Sequence, residues 1–186
     1  GSTFQWKIDA STWVNYGSST SVTFKNNLPQ GSITFQVRAI DSAGNVDPTP
    51  ASVTWTIDTI APNTTITSAP SGTVASTSAT INYSSSESGG YYQWQIAASN
   101  WINWSSSSFS FTNLPQGSIT FQVRAIDSAG NVDASPATVT WTIDTVAPSV
   151  PSLSSPAHGS YTNDTTPAFS WGAISDANLY QIQIDN

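Results

Sequence analysis

The residues Asn27 to Asp47, NLPQGSITFQVRAIDSAGNVD, return without a change at Asn113 to Asp133, 86 positions further on (113 − 27). A chain that copies itself at this spacing is constrained to be a string of small domains, because solenoid units run to only about 20–50 residues. The copy extends past the identical block. Val53 to Thr59, VTWTIDT, returns as Val139 to Thr145, and Phe4-Gln5-Trp6 corresponds to Tyr92-Gln93-Trp94 at a shift of 88 (92 − 4), so the loop between them is two residues shorter in the second copy. Tyr180-Gln181-Ile182-Gln183-Ile184 lies a further 88 residues on (180 − 92). The expected organisation is a partial repeat over 1–59 carrying C-terminal strands, a complete repeat over 60–145, and a partial repeat over 146–186 carrying N-terminal strands.

Within a repeat the apolar residues alternate with polar ones, the period of a strand with one buried face. Phe4 to Ile8 is a strand, Trp13 to Tyr16 folds back on it, Val22 and Phe24 alternate again, and Ile33 to Ile40 is the strongest, with Phe35, Val37 and Ala39 on one face. Leu28-Pro29-Gln30-Gly31 and Ser42-Ala43-Gly44-Asn45 are turns, where Gly and Asn supply positive φ. Val53, Trp55 and Ile57 form the inward face of the last strand. The second copy adds Thr64 to Ser68 and Ser78 to Ser84 at its front, the latter with Ala79, Ile81 and Tyr83 pointing one way. Seven short strands without helical periodicity predict an all-β fold of tandem antiparallel immunoglobulin-like sandwiches. The proline in Asp58-Thr59-Ile60-Ala61-Pro62 stiffens the joint between repeats.

Charge narrows the function classes. Eleven carboxylates stand against Lys7, Lys25, Arg38 and Arg124, with charged residues at 8% of the chain. So few cations give no electrostatic footprint for nucleic acid or anionic lipid. Cysteine and methionine are both absent, which removes disulfides and thiolate metal sites and, with the abundance of Ser and Thr, fits an extracellular bacterial protein exposed to oxidants. No apolar run is long enough to span a bilayer.

The run FQVRAIDSAGNVD, followed by VTWTIDT and the Asp-Thr-x-Ala-Pro joint, resembles the bacterial immunoglobulin-like and fibronectin-III-like repeats strung along large secreted surface proteins and adhesins. Thr165-Thr166-Pro167-Ala168-Phe169-Ser170-Trp171 is similar to second strands of the same group. The resemblance implies a structural stalk, spacer or filament segment at the cell surface, with neighbouring repeats or like chains as partners. Many such repeats carry a cysteine pair where this chain has Trp6 and Tyr16, and again Trp94 and Trp104. An aromatic cross-strand pair there contributes about 0.5–1.5 kcal/mol beyond burial, against roughly 2–4 kcal/mol for a disulfide.

The carboxylates are the candidates for metal chemistry. In a sandwich of this topology Asp58 leaves one domain pointing at the next domain's turn, Asp127 to Asp133, which gathers Asp58, Asp127, Asn131 and Asp133 around one site. Ca²⁺ takes about six to eight oxygen ligands of this kind, and related adhesin repeats hold calcium at their joints. The alternative is that Asp41 and Asp127 shape their turns through Asx-type hydrogen bonds, with Asn45 and Asn131 present for their tolerance of positive φ. Trp101 and Trp104, with Trp13 and Tyr16, are either core aromatics or an exposed platform for sugar rings, the mark of a carbohydrate-binding module.

Catalytic signals are absent. His158 stands alone in a loop with no counterpart in the other repeats, Glu87 is the sole glutamate, and neither a paired acid and base of the glycosidase kind nor a nucleophile elbow is spelled out. With Lys7 and Lys25 unmatched by lysine in the second copy, a repeated Lys–Asn crosslink is excluded as well. The partial repeats at either end would leave apolar sheet faces uncovered, and neighbouring copies or strand exchange between chains are expected to complete them.

Overall fold

A computed structural model describes residues 1–25 and 27–184, so the last two residues of the 146–186 segment lie outside the described residues. Among them there is no helix. Strands β1 (Thr3–Ile8), β2 (Val14–Asn15), β3 (Gly31–Ile40) and β4 (Ala51–Ile57) form one antiparallel sheet in the order β2-β1-β3-β4. Next come β5 (Thr64–Ser68), β6 (Thr73–Val74), β7 (Ala79–Ser85), β8 (Tyr91–Ile96), β9 (Ile102–Trp104), β10 (Ser108–Phe111), β11 (Gly117–Ile126) and β12 (Ala137–Ile143). These build two sheets, β10-β7-β5 and β6-β12-β11-β8-β9, which pack face to face as an immunoglobulin-like β-sandwich. A last pair, β13 (Leu153–Ser155) with β14 (Ser170–Trp171), is antiparallel.

The alternation in sequence explains which side of each strand is buried. Phe121, Val123 and Ala125 face inward from β11, Trp141 and Ile143 from β12, and Trp94 from β8, against Ala79, Ile81 and Tyr83 of β7. Each such side chain removed from water contributes about 1.5–3 kcal/mol before conformational entropy is subtracted. Thr64 ties the two layers together at one end: its N–H donates to Asp133 Oδ2 at 2.8 Å, and its Oγ1 accepts from Ala125 N–H at 2.7 Å.

The repeated block supplies an internal comparison. β3 and β11 have the same ten residues, GSITFQVRAI, and the same ladder on both sides. Yet Phe121 and Val123 are wholly buried while Phe35 and Val37 are half-buried. The difference is the second layer: β11 lies under β5 and β7, and β3 has no such cover among the described residues.

Two details depart from the sequence pattern. Val22 and Phe24 alternate like a strand but are irregular, because their counterparts in β10 owe their strand form to pairing with β7 (Phe109 with Ile81, Phe111 with Ala79). The eighth strand of the complete unit, β6, is only two residues long and parallel to β12. The aromatic pairs are also offset. Trp6 stands opposite Val14 and meets Tyr16 diagonally, ring centroids 6.4 Å apart and edge-on; Trp94 stands opposite Ile102, and Trp94 and Trp104 each pack on Phe109, at 4.3 and 4.8 Å.

The core has one visible flaw. Tyr83 Oη and the indole nitrogens of Trp94 and Trp141 are buried with no hydrogen-bond partner among the described residues, and an unsatisfied buried group of this kind costs about 1–3 kcal/mol. Burial, with the nearby Tyr92 adding to it, pushes the Tyr83 phenol up to about 12. Because the folded state holds this proton more tightly than the unfolded chain, the associated stability is intact below pH 10 and lost as pH rises toward 12. Tyr83→Phe is therefore expected to raise unfolding stability by up to about 1 kcal/mol and to flatten its alkaline decline, measured by urea melts at pH 7, 10 and 11; a loss of stability at pH 7 would show that the hydroxyl has a partner.

Candidate functional site

The chain passes from the first sheet to the sandwich through Asp58-Thr59-Ile60-Ala61-Pro62, and the side chains on both sides fix the crossing. Gln30 holds it from the first sheet: its Nε2 donates to Asp58 Oδ1 at 2.8 Å, and its Oε1 accepts from Thr59 N–H and Oγ1 at 3.2 and 3.0 Å. Ile60 N–H donates to Asp58 Oδ1 at 3.1 Å. From the sandwich, Asn131 Nδ2 donates to the Asp58 carbonyl at 3.0 Å and to Asp127 Oδ2 at 2.7 Å. The exit joint repeats the arrangement, with Gln116 on Asp144 and Thr145 at 3.5, 3.0 and 3.2 Å, and Val146 N–H on Asp144 Oδ1 at 3.0 Å.

At the first joint three carboxylates converge. Asp58, Glu87 and Asp127 each place an oxygen within 4.8 Å of the other two. Two oxygens bound to one Ca²⁺ at about 2.3–2.6 Å stand at most roughly twice that distance apart, so the spacing fits a single hard cation, with further oxygens from water or backbone. Glu87 stands in the loop that also carries Gly89 and Gly90. Gly90 runs so close to the turn that a Cβ would lie 1.9 Å from the Ile126 carbonyl oxygen. Burial raises the Glu87 pKa, and the charges of Asp58 and Asp127 raise it further.

The turn itself is satisfied without an ion. Asp127 Oδ1 accepts from Ala129 and Asn131 N–H, both at 2.8 Å, and Asp41 makes the equivalent bonds to Ala43 and Asn45 at 2.9 and 2.8 Å. Burial pushes the Asp127 pKa up, but the Asn131 side chain and the backbone donors outweigh it and hold it below the ordinary value. Asp133 stands apart from the carboxylate group. Its Oδ1 accepts from Ser135 N–H and Oγ at 2.8 and 2.9 Å, while Oδ2 accepts from Thr64. Of the residues expected at the joint, the fold thus brings Asp58, Asp127 and Asn131 together, ties Asp133 instead to Thr64 at the start of β5, and adds Glu87.

The aromatic candidates divide. Trp101 has the Arg124 guanidinium over its ring at 4.2 Å, as Trp13 has Arg38 at 4.0 Å, so one face of each is covered by a cation–π contact. Trp104 is 38% exposed and lines a shallow cleft with Tyr91, Asn103 and Ser105; its Nε1 donates to the Ser108 carbonyl at 2.8 Å.

No family model and no curated protein matches the chain. Among solved structures it is similar to fibronectin(III)-like modules of Clostridium thermocellum CbhA, at 14% identity over 76% of this chain and 77% of that one, with a TM-score of 0.42. It is also similar to the extracellular domain of a putative one-component system from B. thetaiotaomicron, at 10% identity over 72% of this chain and 26% of that one, TM-score 0.37. The central fibronectin-III array of RIM-binding protein matches at 14% identity over 91% of this chain and 66% of that one, TM-score 0.31. The chain thus spans about a quarter of the B. thetaiotaomicron protein.

The charge group generates a pH signature. Glu87 has a folded pKa above its ordinary value of 4.5, so the stability linked to its proton is present below that value and lost as pH rises through the raised one. Asp127 and Asp133 are lowered from 3.8, so their contribution is present above that value and lost as pH falls through their folded values. In EDTA, Glu87→Gln is expected to melt at a higher temperature than the parent at pH 7 and at the same temperature near pH 4; equal melting at both would show that the three carboxylates do not repel.

Proposed function

We propose that this chain is a spacer segment, a stalk or filament stretch of a bacterial extracellular surface or adhesin protein, and that it supplies reach and rigidity without catalysis. The observation that carries this reading is the placement of the two joints. Asp58 enters the sandwich beside Asn131, past the Ile126 end of β11, and Thr145 leaves beside Gln116, next to Gly117 at the other end. A unit entered at one end and left at the other adds its length to the array, about 34 Å for ten strand residues and roughly 40 Å with end loops. Short proline-bearing linkers, pinned by Gln30 and Gln116, restrict the hinge.

In the same proposal Ca²⁺ binds Asp58, Glu87 and Asp127 and stiffens the joint by neutralising their repulsion. Affinity in the range of about 10⁻⁴–10⁻³ M suits an extracellular module with few protein ligands. Small-angle scattering of the single chain is expected to give an elongated particle; a compact profile would remove the spacer reading. Melting temperature is expected to rise with Ca²⁺ and fall with EDTA in the parent but not in Glu87→Gln, and indifference of the parent would remove the ion alone.

The exposed cleft beside Trp104 keeps a second reading testable, that of a carbohydrate-binding accessory module. In a pull-down on insoluble polysaccharides the spacer reading expects no retention. Retention that Trp104→Ala abolishes would replace it.

A further inference from the structure

Charge is sorted by element. Lys7, Arg38 and Arg124, three of the chain's four cations, stand in β1, β3 and β11, whereas no strand among the described residues carries a carboxylate. Alternation puts Arg124 on the outer side of its sheet, because Val123 and Ala125 face the core, and Arg38 holds the same position in β3. The Arg124 guanidinium is fixed in place there. Its Nε donates to Gln93 Oε1 at 2.9 Å, Gln93 Nε2 donates to Asn103 Oδ1 at 2.9 Å, and Cζ stands over the Trp101 ring at 4.2 Å. The first sheet repeats this: Arg38 Nε donates to Gln5 Oε1 at 2.9 Å, Gln5 Nε2 donates to Asn15 Oδ1 at 2.6 Å, and Arg38 lies over Trp13 at 4.0 Å, with Lys7 Nζ 5.1 Å from the same ring. In both copies the two Nη groups have no hydrogen-bond partner and no ion pair among the described residues. Asp47, held below its ordinary value first by Thr49 N–H and Oγ1, feels Arg38 only at longer range.

We propose that each Arg–Trp pair is a receptor for the carboxylate of a uronic-acid glycan lying across the outer face of the sheet. The Nη edge of a guanidinium presents two parallel N–H donors that match a carboxylate. With Nε held by Gln93 and the plane stacked on Trp101, this fork is oriented before a ligand arrives, which removes much of the cost of ordering a long side chain on binding. Covering the ring would need only the arginine stem. A charge kept out of ion pairs, in a chain with eleven carboxylates, is what an incoming anion requires.

The rest of the face offers neutral partners for sugar hydroxyls. Gln95 Nε2 donates to Gln122 Oε1, Gln122 Nε2 donates to Thr138 Oγ1 at 3.2 Å, and Thr120 and Thr140 share a hydrogen bond of 3.1 Å. Amides and hydroxyls linked in this way keep unused lone pairs and N–H bonds. Charge then selects the class of ligand. A net charge of −7 repels a dense polyanion such as a nucleic acid, while hydroxyl-rich rings bearing single carboxylates match one fixed cation set among amides and hydroxyls. Two such sites on one chain, a repeat apart, reinforce each other on a long polymer. The site does not involve Trp104, and it goes beyond the spacer reading without depending on it.

Affinity electrophoresis of the full chain tests this, in native gels containing polygalacturonate, its methyl ester or dextran sulfate. EDTA is present throughout, so that no cation bridges the polymer to Asp58, Glu87 and Asp127. Polygalacturonate is expected to retard the parent chain, and the methyl ester, which has the same rings without the charge, is not. Replacing both arginines, Arg38→Gln with Arg124→Gln, is expected to weaken the interaction at least about tenfold, the factor for losing a charge-assisted contact. Arg38→Lys with Arg124→Lys keeps the charge, loses the fork, and is expected to weaken it nearly as much. Melting temperatures of the same samples separate folding from recognition. A parent that polygalacturonate does not retard would overturn the proposal, as would equal retardation by the methyl ester. Equal or stronger retardation by dextran sulfate would reduce the sites to unselective charge and overturn it too. So would variants that melt lower yet bind like the parent, which would leave the Arg–Trp contact a purely structural one.

Discussion

The burial of one sheet's apolar face by the other is the constraint on which this molecule depends. β3 and β11 show it directly, because their sequence, flanking turns and ladder register are shared while the covering layer is not. With β5 and β7 above it, the strand buries Phe121 and Val123 completely; without them, Phe35 and Val37 remain accessible. Hydrogen-bonded ladders alone therefore produce a sheet but leave much of the hydrophobic stabilisation unrealised, since that term scales with apolar area removed from water. The aromatic cluster is set by the sheet itself: Trp6, Phe24 and Phe35 keep the mutual geometry of Trp94, Phe111 and Phe121, with stacked rings 6.2 Å apart in both copies, so the inner face holds its arrangement with or without the second layer.

The joints fix how the chain enters and leaves that sandwich. Gln30 and Gln116 each hold the outgoing Asp-Thr from the domain being left, and Asn131 holds the incoming carbonyl from the domain being entered. One amide side chain on each side of a short proline-bearing linker converts a flexible connection into a defined one. The three carboxylates work against this while they remain charged and uncompensated, which is why burial and neighbouring charge shift Glu87 upward and Asp127 needs several donors to stay ionised.

Much of this was legible in the sequence because the period-2 alternation and the repeat report the same strands twice. Three features were not. The irregular form of Val22 to Phe24 depends on whether β7 is present, a tertiary fact that alternation cannot encode. β6 is two residues long and owes its existence to its parallel pairing with Thr142 and Ile143. Glu87 joins the carboxylates through a loop whose only signal is Gly89-Gly90, a pair that marks close backbone approach without saying to what. Conversely, Asp133 looks like its fellow acids in sequence and is distinguished only by Thr64, which lies 69 residues away.

The same topology decides how tension would pass through a unit. Pulled through residues 58–62 and 144–148, β5 and the β6 that follows it are drawn toward the entry end, and β12 toward the exit. β6 and β12 run parallel and are bonded through Thr142 N–H to Gly72 O and Asp144 N–H to Val74 O, both at 2.9 Å. Opposed forces along parallel strands slide those bonds past one another together, whereas the same forces on an antiparallel hairpin end would open them one at a time. Breaking several bonds at once needs more force than breaking them in sequence, so the shortest strand of the sandwich sits where a unit pulled from its two ends resists extension.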